Sequence, residues 1–510
     1  MILLNAKALV VVLLCALAVF ALAKPLFLQF TAPADFARRR NAWFILTIAA
    51  FLSPTFWIYV MIALPVMAWA GYRDSNPTSL YLFLYFVIPP VFIPIPTVLI
   101  NQLFALSNAR MMAFVILLPA VWRWLAGLQS GERVRLNGLD YTLLAYGLLQ
   151  LALFIPYESS TNTLRRGFLF LVDTYLVYFA FSRMIRDRHQ LADTMGGLCL
   201  AGALFAPMAI FESLRGWLLY TGVSDVFGNA NIFAWIFRGG SLRAQASTGH
   251  SITLGYFIAL AIGFWMYLRE TQPSRKANTG YFVLLTLGMF FSYARGPWVM
   301  GVLLVAIAVA LGSRNAVQMM KIAVVPSMVV LAILVSPFGS KFIDLLPFVG
   351  SAGAETITQR QALAETSWRL VQQNPWFGNP FVLLQMEDLR TGDQIIDLVN
   401  GYAQVALFYG LVGLALFLAV FLGSLHKAYA TFRQARVAGD DAMVWLGASL
   451  IACLIASLFV MATSGQLYLQ WITAALLVAY AGMQVVERPA PETAVVARTG
   501  GFRPRRAATP

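Results

Sequence analysis

The sequence predicts an all-α polytopic membrane protein with about 12 to 14 transmembrane helices and a large outer loop that carries an amphipathic helix. Three observations lead there. Of 510 residues, 60% are hydrophobic and 11% charged, against ~25% charged in an average soluble domain, so one soluble core could not absorb the apolar surface. Apolar stretches long enough to cross ~30 Å of hydrocarbon recur almost throughout. The net charge of +14 falls in short clusters between those stretches, which marks cytoplasmic loops and not a nucleic-acid-binding face.

In chain order the spans are read at 2–23, 42–71, 80–100, 111–128, 141–156, 167–182, 191–213, 251–268, 280–293, 298–312, 321–337, 400–424, 443–464 and 467–486. The second is either one long helix or two short ones broken at Ser53-Pro54. Val10 to Ala23, behind Lys7, resembles a cleavable leader, but later helices already target the chain, so a retained first helix is expected. Cys15, Cys199 and Cys453 lie inside apolar stretches without a CxxC pair, which supports neither a disulfide framework nor a thiolate metal site.

The tail after Glu487 carries Arg488, Arg498, Arg503, Arg505 and Arg506 and is expected to be cytoplasmic and disordered. Working backwards, Lys427/Arg433/Arg436, Arg314/Lys321, Arg269/Arg275/Lys276, Arg183/Arg186/Arg188 and Arg133/Arg135 fall on the same side. Arg38-Arg39-Arg40 joins them only if 42–71 is a hairpin and the N-terminus lies outside. The organisation expected is N-terminal helices over 1–213, a central region over 214–425 with outer segments 214–251 and 339–399, a hairpin over 426–486 and the tail 487–510. Long loops in compact proteins are usually functional or disordered; Trp368, Trp376 and Phe377 argue for order in the second.

Candidate chemistry gathers on the outer side. Ile357, Ala364, Trp368 and Val371 recur at helical spacing, with Arg360 on their face and Arg369 turned away into solvent. Arg360 there either meets an anionic ligand or snorkels along apolar surface. Arg295, in Ser292-Tyr293-Ala294-Arg295-Gly296-Pro297-Trp298, stands at a helix start, where N–H groups and the dipole favour an anion. Arg243 precedes Gln245, Ser247, Thr248, Gly249 and His250, a polar run suited to sugar hydroxyls or phosphate and equally to helix capping. His250 is a structural residue or a base. Asp440-Asp441, in a basic loop, is expected to be solvated. No metal-ligand pattern, phosphate loop or nucleophile elbow is present in the sequence.

The order of these motifs, followed by Asn374-Pro375-Trp376-Phe377-Gly378, Asn400-Gly401-Tyr402 and Tyr409-Gly410-Leu411-Val412-Gly413-Leu414, resembles the O-antigen ligase and polymerase family of bacterial envelopes over about residues 240–425. The resemblance implies metal-independent, cofactor-free glycosyl transfer of the GT-C-like kind at the periplasmic face of the inner membrane, with the C-terminus cytoplasmic. A glycan on undecaprenyl diphosphate would serve as donor and acceptor. Arg243, Arg295 and Arg360 would hold the diphosphate, Asn400 and Tyr402 would contact substrate, and export and chain-length machinery are possible partners.

One departure shapes the expectation: ligases of the family carry His-Asn where this chain has Val399-Asn400, and valine cannot take a proton. Asp397 or His250 then serves as base, or the acceptor is only positioned. This favours a polymerase of exopolysaccharide or O-antigen repeat units, as do Asn41-Ala42-Trp43 and Asp74-Ser75-Asn76-Pro77, which look more like the exopolysaccharide polymerases. A ligase using another acceptor is the alternative within the chemistry. A lipid-linked glycan flippase or transporter is the alternative outside it, and should show paired repeats.

Overall fold

The second predicted span divides at Ser53-Pro54. The Ser53 N–H closes on Ala49 O at the end of α2 (Pro33–Leu52), and the Thr55 hydroxyl accepts from Ile58 N at 3.4 Å to start α3 (Phe56–Arg73). Proline cannot continue the ladder, so the two helices pack as a hairpin. The computed structural model describes residues 2–95, 104–128, 136–229, 232–271, 274–313, 354–389, 396, 398, 400–462, 465 and 468–486. The expected span 321–337, much of the outer loop, Asp397, Val399 and the tail lie outside them, and of Arg360 only the helical backbone is described.

Among the described residues the chain is helical apart from two short antiparallel hairpins, Ile93–Pro94 with Ala105–Leu106 and Phe237–Arg238 with Ser241–Leu242. Eight helices among the described residues are long and apolar enough to cross a membrane. The remaining elements used below are α1 (Ile2–Phe27), α4 (Pro77–Val87), α5 (Asn108–Met112) and α6 (Leu118–Ala126) joined by a π-helical turn at Ala113–Leu117, and α7 (Gly138–Phe154). A second π-helical turn, Leu171–Tyr175, joins α8 (Ser160–Phe170) to α9 (Leu176–Arg183). Then follow α10 (Arg188–Arg215), α11 (Thr221–Val226), α12 (Ser251–Leu268), α13 (Arg275–Phe291), α14 (Arg295–Gly312), α15 (Ala354–Gln373), α16 (Gly401–Ala438), α17 (Asp441–Met461) and α18 (Leu469–Ala481). The protein is an all-α polytopic membrane protein. Helix α16 continues past residue 425, the expected end of the central region, to Ala438.

Burial separates centre from rim. The apolar windows of α10 and α12 are 83% and 89% buried, those of α1, α3 and α14 39%, and on α1 Leu14, Leu17 and Leu22 remain exposed where lipid can cover them. Without water in the hydrocarbon, helices must satisfy their own backbone. Helix α10 packs against α4, α12 and α13, while α17 joins α14 to α16.

The end where α10 begins is basic and tightly paired. Arg39 is 2% exposed and gives both its edges to carboxylates: Nε and Nη2 to Asp74 at 2.9 and 2.7 Å, Nη1 and Nη2 to Asp193 at 2.7 and 2.9 Å. Its place in a run of three arginines suggested only topology; the structure makes it the tie between α2, α4 and α10. Asp440, expected to be solvated, is instead buried. It caps α17 through Met443 N at 3.2 Å and pairs with Arg188, because a capping carboxylate beside a helix start also favours a neighbouring cation. The start of α1, at Asn5, packs against α11 at Gly222.

Candidate functional site

The end opposite that basic belt carries the motif residues. The residues Arg243 to His250 leave the Phe237–Arg238/Ser241–Leu242 hairpin and turn through a short 3-10 helix, Ala246–Thr248, into α12. Ala246 adopts φ +45° and Tyr293 φ +46°, the only non-glycine residues with left-handed φ among the described ones. Such backbone costs about 1–3 kcal/mol and persists only where the surroundings enforce it.

The enforcing group is Glu212, near the end of α10 and 0% exposed. Its carboxylate accepts from Leu219 N at 2.9 Å and from Gln245 N and Ala246 N, both at 2.8 Å. Sequence reasoning missed it, since one Glu at the end of an apolar span reads as a boundary residue.

One backbone and one side-chain hydrogen bond join the hairpin and the Arg243 segment to the Arg295 junction. Ala244 N donates to Phe291 O at 3.2 Å, and Arg238 Nη1 donates to Tyr293 O at 2.8 Å. Ser292 Oγ donates to Met289 O at 2.7 Å and accepts from Ala294 N at 3.3 Å; Trp298 Nε1 also donates to Met289 O, at 3.1 Å. Trp298 stacks on Phe290 with centroids 5.0 Å apart. Ser292, Tyr293, Ala294 and Trp298 thus shape a turn that sets Arg295 at the first residue of α14, where Ala294 offers no side-chain cap. Arg243 is 7% exposed and Arg295 half-buried.

His250 caps α12: its Nδ1 accepts from Ile252 N at 3.2 Å. A neutral ring that accepts at Nδ1 carries its proton on Nε2, so in this state the imidazole is a donor. Asn400 likewise caps α16, accepting from Tyr402 N and Ala403 N at 3.0 Å, and the Tyr402 hydroxyl donates to Leu458 O at 2.6 Å.

In α15 the buried positions are Leu363, Ser367 and Leu370; Ala364 is exposed and Trp368 66% exposed. The expected apolar face is therefore turned. Leu363 and Leu370 meet Val382, Met386 and Leu407 in a separate small core, and the indole is left outward, a placement that suits an interfacial aromatic. Arg369 is exposed as expected.

The Asn-Pro-Trp-Phe-Gly and Tyr-Gly-Leu-Val-Gly runs lock together. Helix α16 breaks at Gly410 (φ 65°, ψ −171°). Into that break Pro375 O accepts from Leu411 N at 2.8 Å and Trp376 O from Val412 N at 3.2 Å, while Asn379 N donates to Leu407 O at 2.8 Å. A Cβ on Gly378 would stand 2.6 Å from Gly410 N, so both glycines permit the close approach.

A cavity of about 420 Å³ opens beside Ser247 and His250, and one of about 470 Å³ lies between α7, α8 and α16, lined by Arg166, Gln150 and Gln404 among others. Glu158, outside the spans, accepts from Arg166 Nε at 2.9 Å and Nη2 at 2.6 Å, and that guanidinium holds its carboxyl below the usual range.

Fold and site define a multi-pass membrane protein whose Arg243–His250 segment and Arg295 junction are hydrogen-bonded together at the start of α12 and α14. A family model described as O-Antigen ligase matches residues 280–418, a little over a quarter of the chain, and this stretch includes the Arg295 junction, Arg360 and the Gly378–Gly410 lock. Over that stretch the chain is similar to the O-antigen ligase family. The curated proteins offer no match to it.

Proposed function

We propose that this protein polymerises oligosaccharide repeat units carried on undecaprenyl diphosphate, at the periplasmic face of a bacterial inner membrane, with its C-terminus cytoplasmic. The supporting observation is the join between the Arg243 segment and the Arg295 junction, made by the Ala244 N–H on the Phe291 carbonyl and by the Arg238 guanidinium on the carbonyl of strained Tyr293. Such a join presents two cations, and the start of α14, to one anionic leaving group.

In the reaction, an acceptor hydroxyl oxygen bonds to the anomeric carbon of the donor glycan. The bond from that carbon to the diphosphate oxygen breaks, the lipid diphosphate leaves with the bonding electrons, and the hydroxyl proton passes to a base or to water. Charge grows on the departing diphosphate, and fixed cations there stabilise the transition state more than the ground state. Arg243, Arg295 and Arg360 take that role, without nucleotide sugar or metal. His250, protonated at Nε2, suits donation to a glycan or phosphate oxygen, which leaves Asp397 or water as the proton acceptor.

The match to an O-antigen ligase model favours a second reading, a ligase that transfers the same glycan to another acceptor. Val399, in place of the ligase histidine, weighs toward the polymerase. In cells, Arg295→Ala should abolish high-molecular-weight polymer at normal membrane levels of protein, while Arg369→Ala, an exposed position, should keep it. Equal polymer from the two variants would remove the arginine argument.

A further inference from the structure

The two cavities share a wall. Tyr468, at the start of α18, lines both, and the neighbours Asp173 and Thr174 of one π-helical turn line the first and second respectively. π-Helical turns are rare and concentrate at functional sites. The described residues hold two, Ala113–Leu117 and Leu171–Tyr175, packed against each other.

Arg110 is three residues before the first π turn, and it grips Asp173 in the second. Its Nε lies 3.1 Å from both carboxylate oxygens and its Nη2 2.8 Å from Oδ2, with Nη1 also donating to Ala105 O. The two side chains are 14% and 21% exposed, and both face the first cavity. Ionisable pairs within a membrane bundle are expensive and mark substrate paths.

The electrostatics select the ligand. Asp173 cancels the charge of Arg110, so an anion entering the first cavity would meet a carboxylate in a low-dielectric site. In the second cavity Arg166 is paired with Glu158 in the same way. Each cavity therefore offers a neutral set of donors and acceptors beside aromatic rings: Tyr85 and Tyr256 in the first, Tyr146 and Trp471 in the second, Tyr468 in both. Aromatic faces with a few convergent polar groups suit an uncharged, hydroxyl-rich ring, and each volume falls within the ~300–1,000 Å³ range of small-molecule sites.

We infer that the adjoining cavities form a binding track for consecutive neutral sugars of one glycan, with the Arg110–Asp173 pair and Tyr468 as its selecting residues. Its placement next to His250 leads the glycan from the track toward the arginines, which keep the diphosphate. The inference rests on the polymerase reading for the identity of the glycan.

The probe is the repeat-unit oligosaccharide released by mild acid from the host's own lipid-linked precursor, so that it lacks lipid and diphosphate. It is titrated into the full-length protein in nanodiscs by calorimetry. Wild type should bind it, and Asp173→Asn and Tyr468→Leu should each weaken binding at least about tenfold while affinity for undecaprenyl diphosphate stays within about twofold. Should Asp173→Asn fail to accumulate, Tyr468→Leu, which leaves the ion pair intact, carries the same test. No binding by wild type, or equal binding by folded variants, overturns the track. Binding that the variants lose, in a protein that makes no polymer, upholds the track and removes the polymerase reading. Polymer made normally by variants that bind normally does the reverse.

Discussion

Glu212→Gln probes how the Arg243–His250 segment is held. The carboxylate accepts three backbone N–H groups at 2.8–2.9 Å inside a fully buried setting. An amide keeps one acceptor oxygen. If that oxygen serves Gln245 and Ala246, the new NH2 faces the Leu219 N–H, donor against donor. An unsatisfied buried donor costs about 1–3 kcal/mol, and the two remaining bonds lose their charge assistance, so roughly 2–4 kcal/mol is removed from this one turn. That is enough to release Ala246 from its left-handed φ, whose strain is about 1–3 kcal/mol. Arg243, Ser247 and His250 then lose their fixed positions, and misplacement of about 1 Å costs on the order of 10²-fold in rate. The assay pairs a thermal unfolding curve in detergent with polymer synthesis by the same preparation. Turnover should fall about 100-fold with a smaller loss of thermal stability. Wild-type turnover from a folded Glu212→Gln protein would refute the assignment of Glu212 as the positioning residue.

At the other end, Arg39→Ala strands two buried carboxylates and should destabilise the bundle by about 3–5 kcal/mol, read as a lowered unfolding midpoint or loss of the protein from membranes. Arg39→Lys should not rescue it, because a single ammonium cannot reproduce the two-sided fork. Gly410→Ala would put a Cβ against the Trp376 carbonyl at a backbone angle that only glycine adopts readily. Faster protease cleavage between α15 and α16 is the expected readout, with unchanged susceptibility as the contrary result.

The helices were legible in the sequence because hydrocarbon demands long apolar runs, and the Ser53-Pro54 break followed from proline chemistry. The motif end was legible through Arg243, Arg295 and the glycines, whose roles are local. What the sequence concealed depends on contacts far apart in the chain. Asp173 finds Arg110 across 63 residues and Asp193 finds Arg39 across 154, and nothing periodic announces either pair. On α15 the spacing grouped Trp368 with Ile357, Ala364 and Val371, and the contacts of Leu363 and Leu370 with Val382, Met386 and Leu407 were not legible because their partners lie elsewhere in the chain. The π-helical turns, too, have no signal in apolar periodicity.

The measurement that bears most directly on the account is the reaction of purified protein, in nanodiscs with chelator present, on undecaprenyl diphosphate-linked repeat units as the sole substrate. The account predicts a ladder of products growing by whole repeat units, with one lipid diphosphate released per bond formed, and loss of that ladder in Arg295→Ala. A single unextended band from wild-type protein, under conditions where a different acceptor is glycosylated, would contradict it.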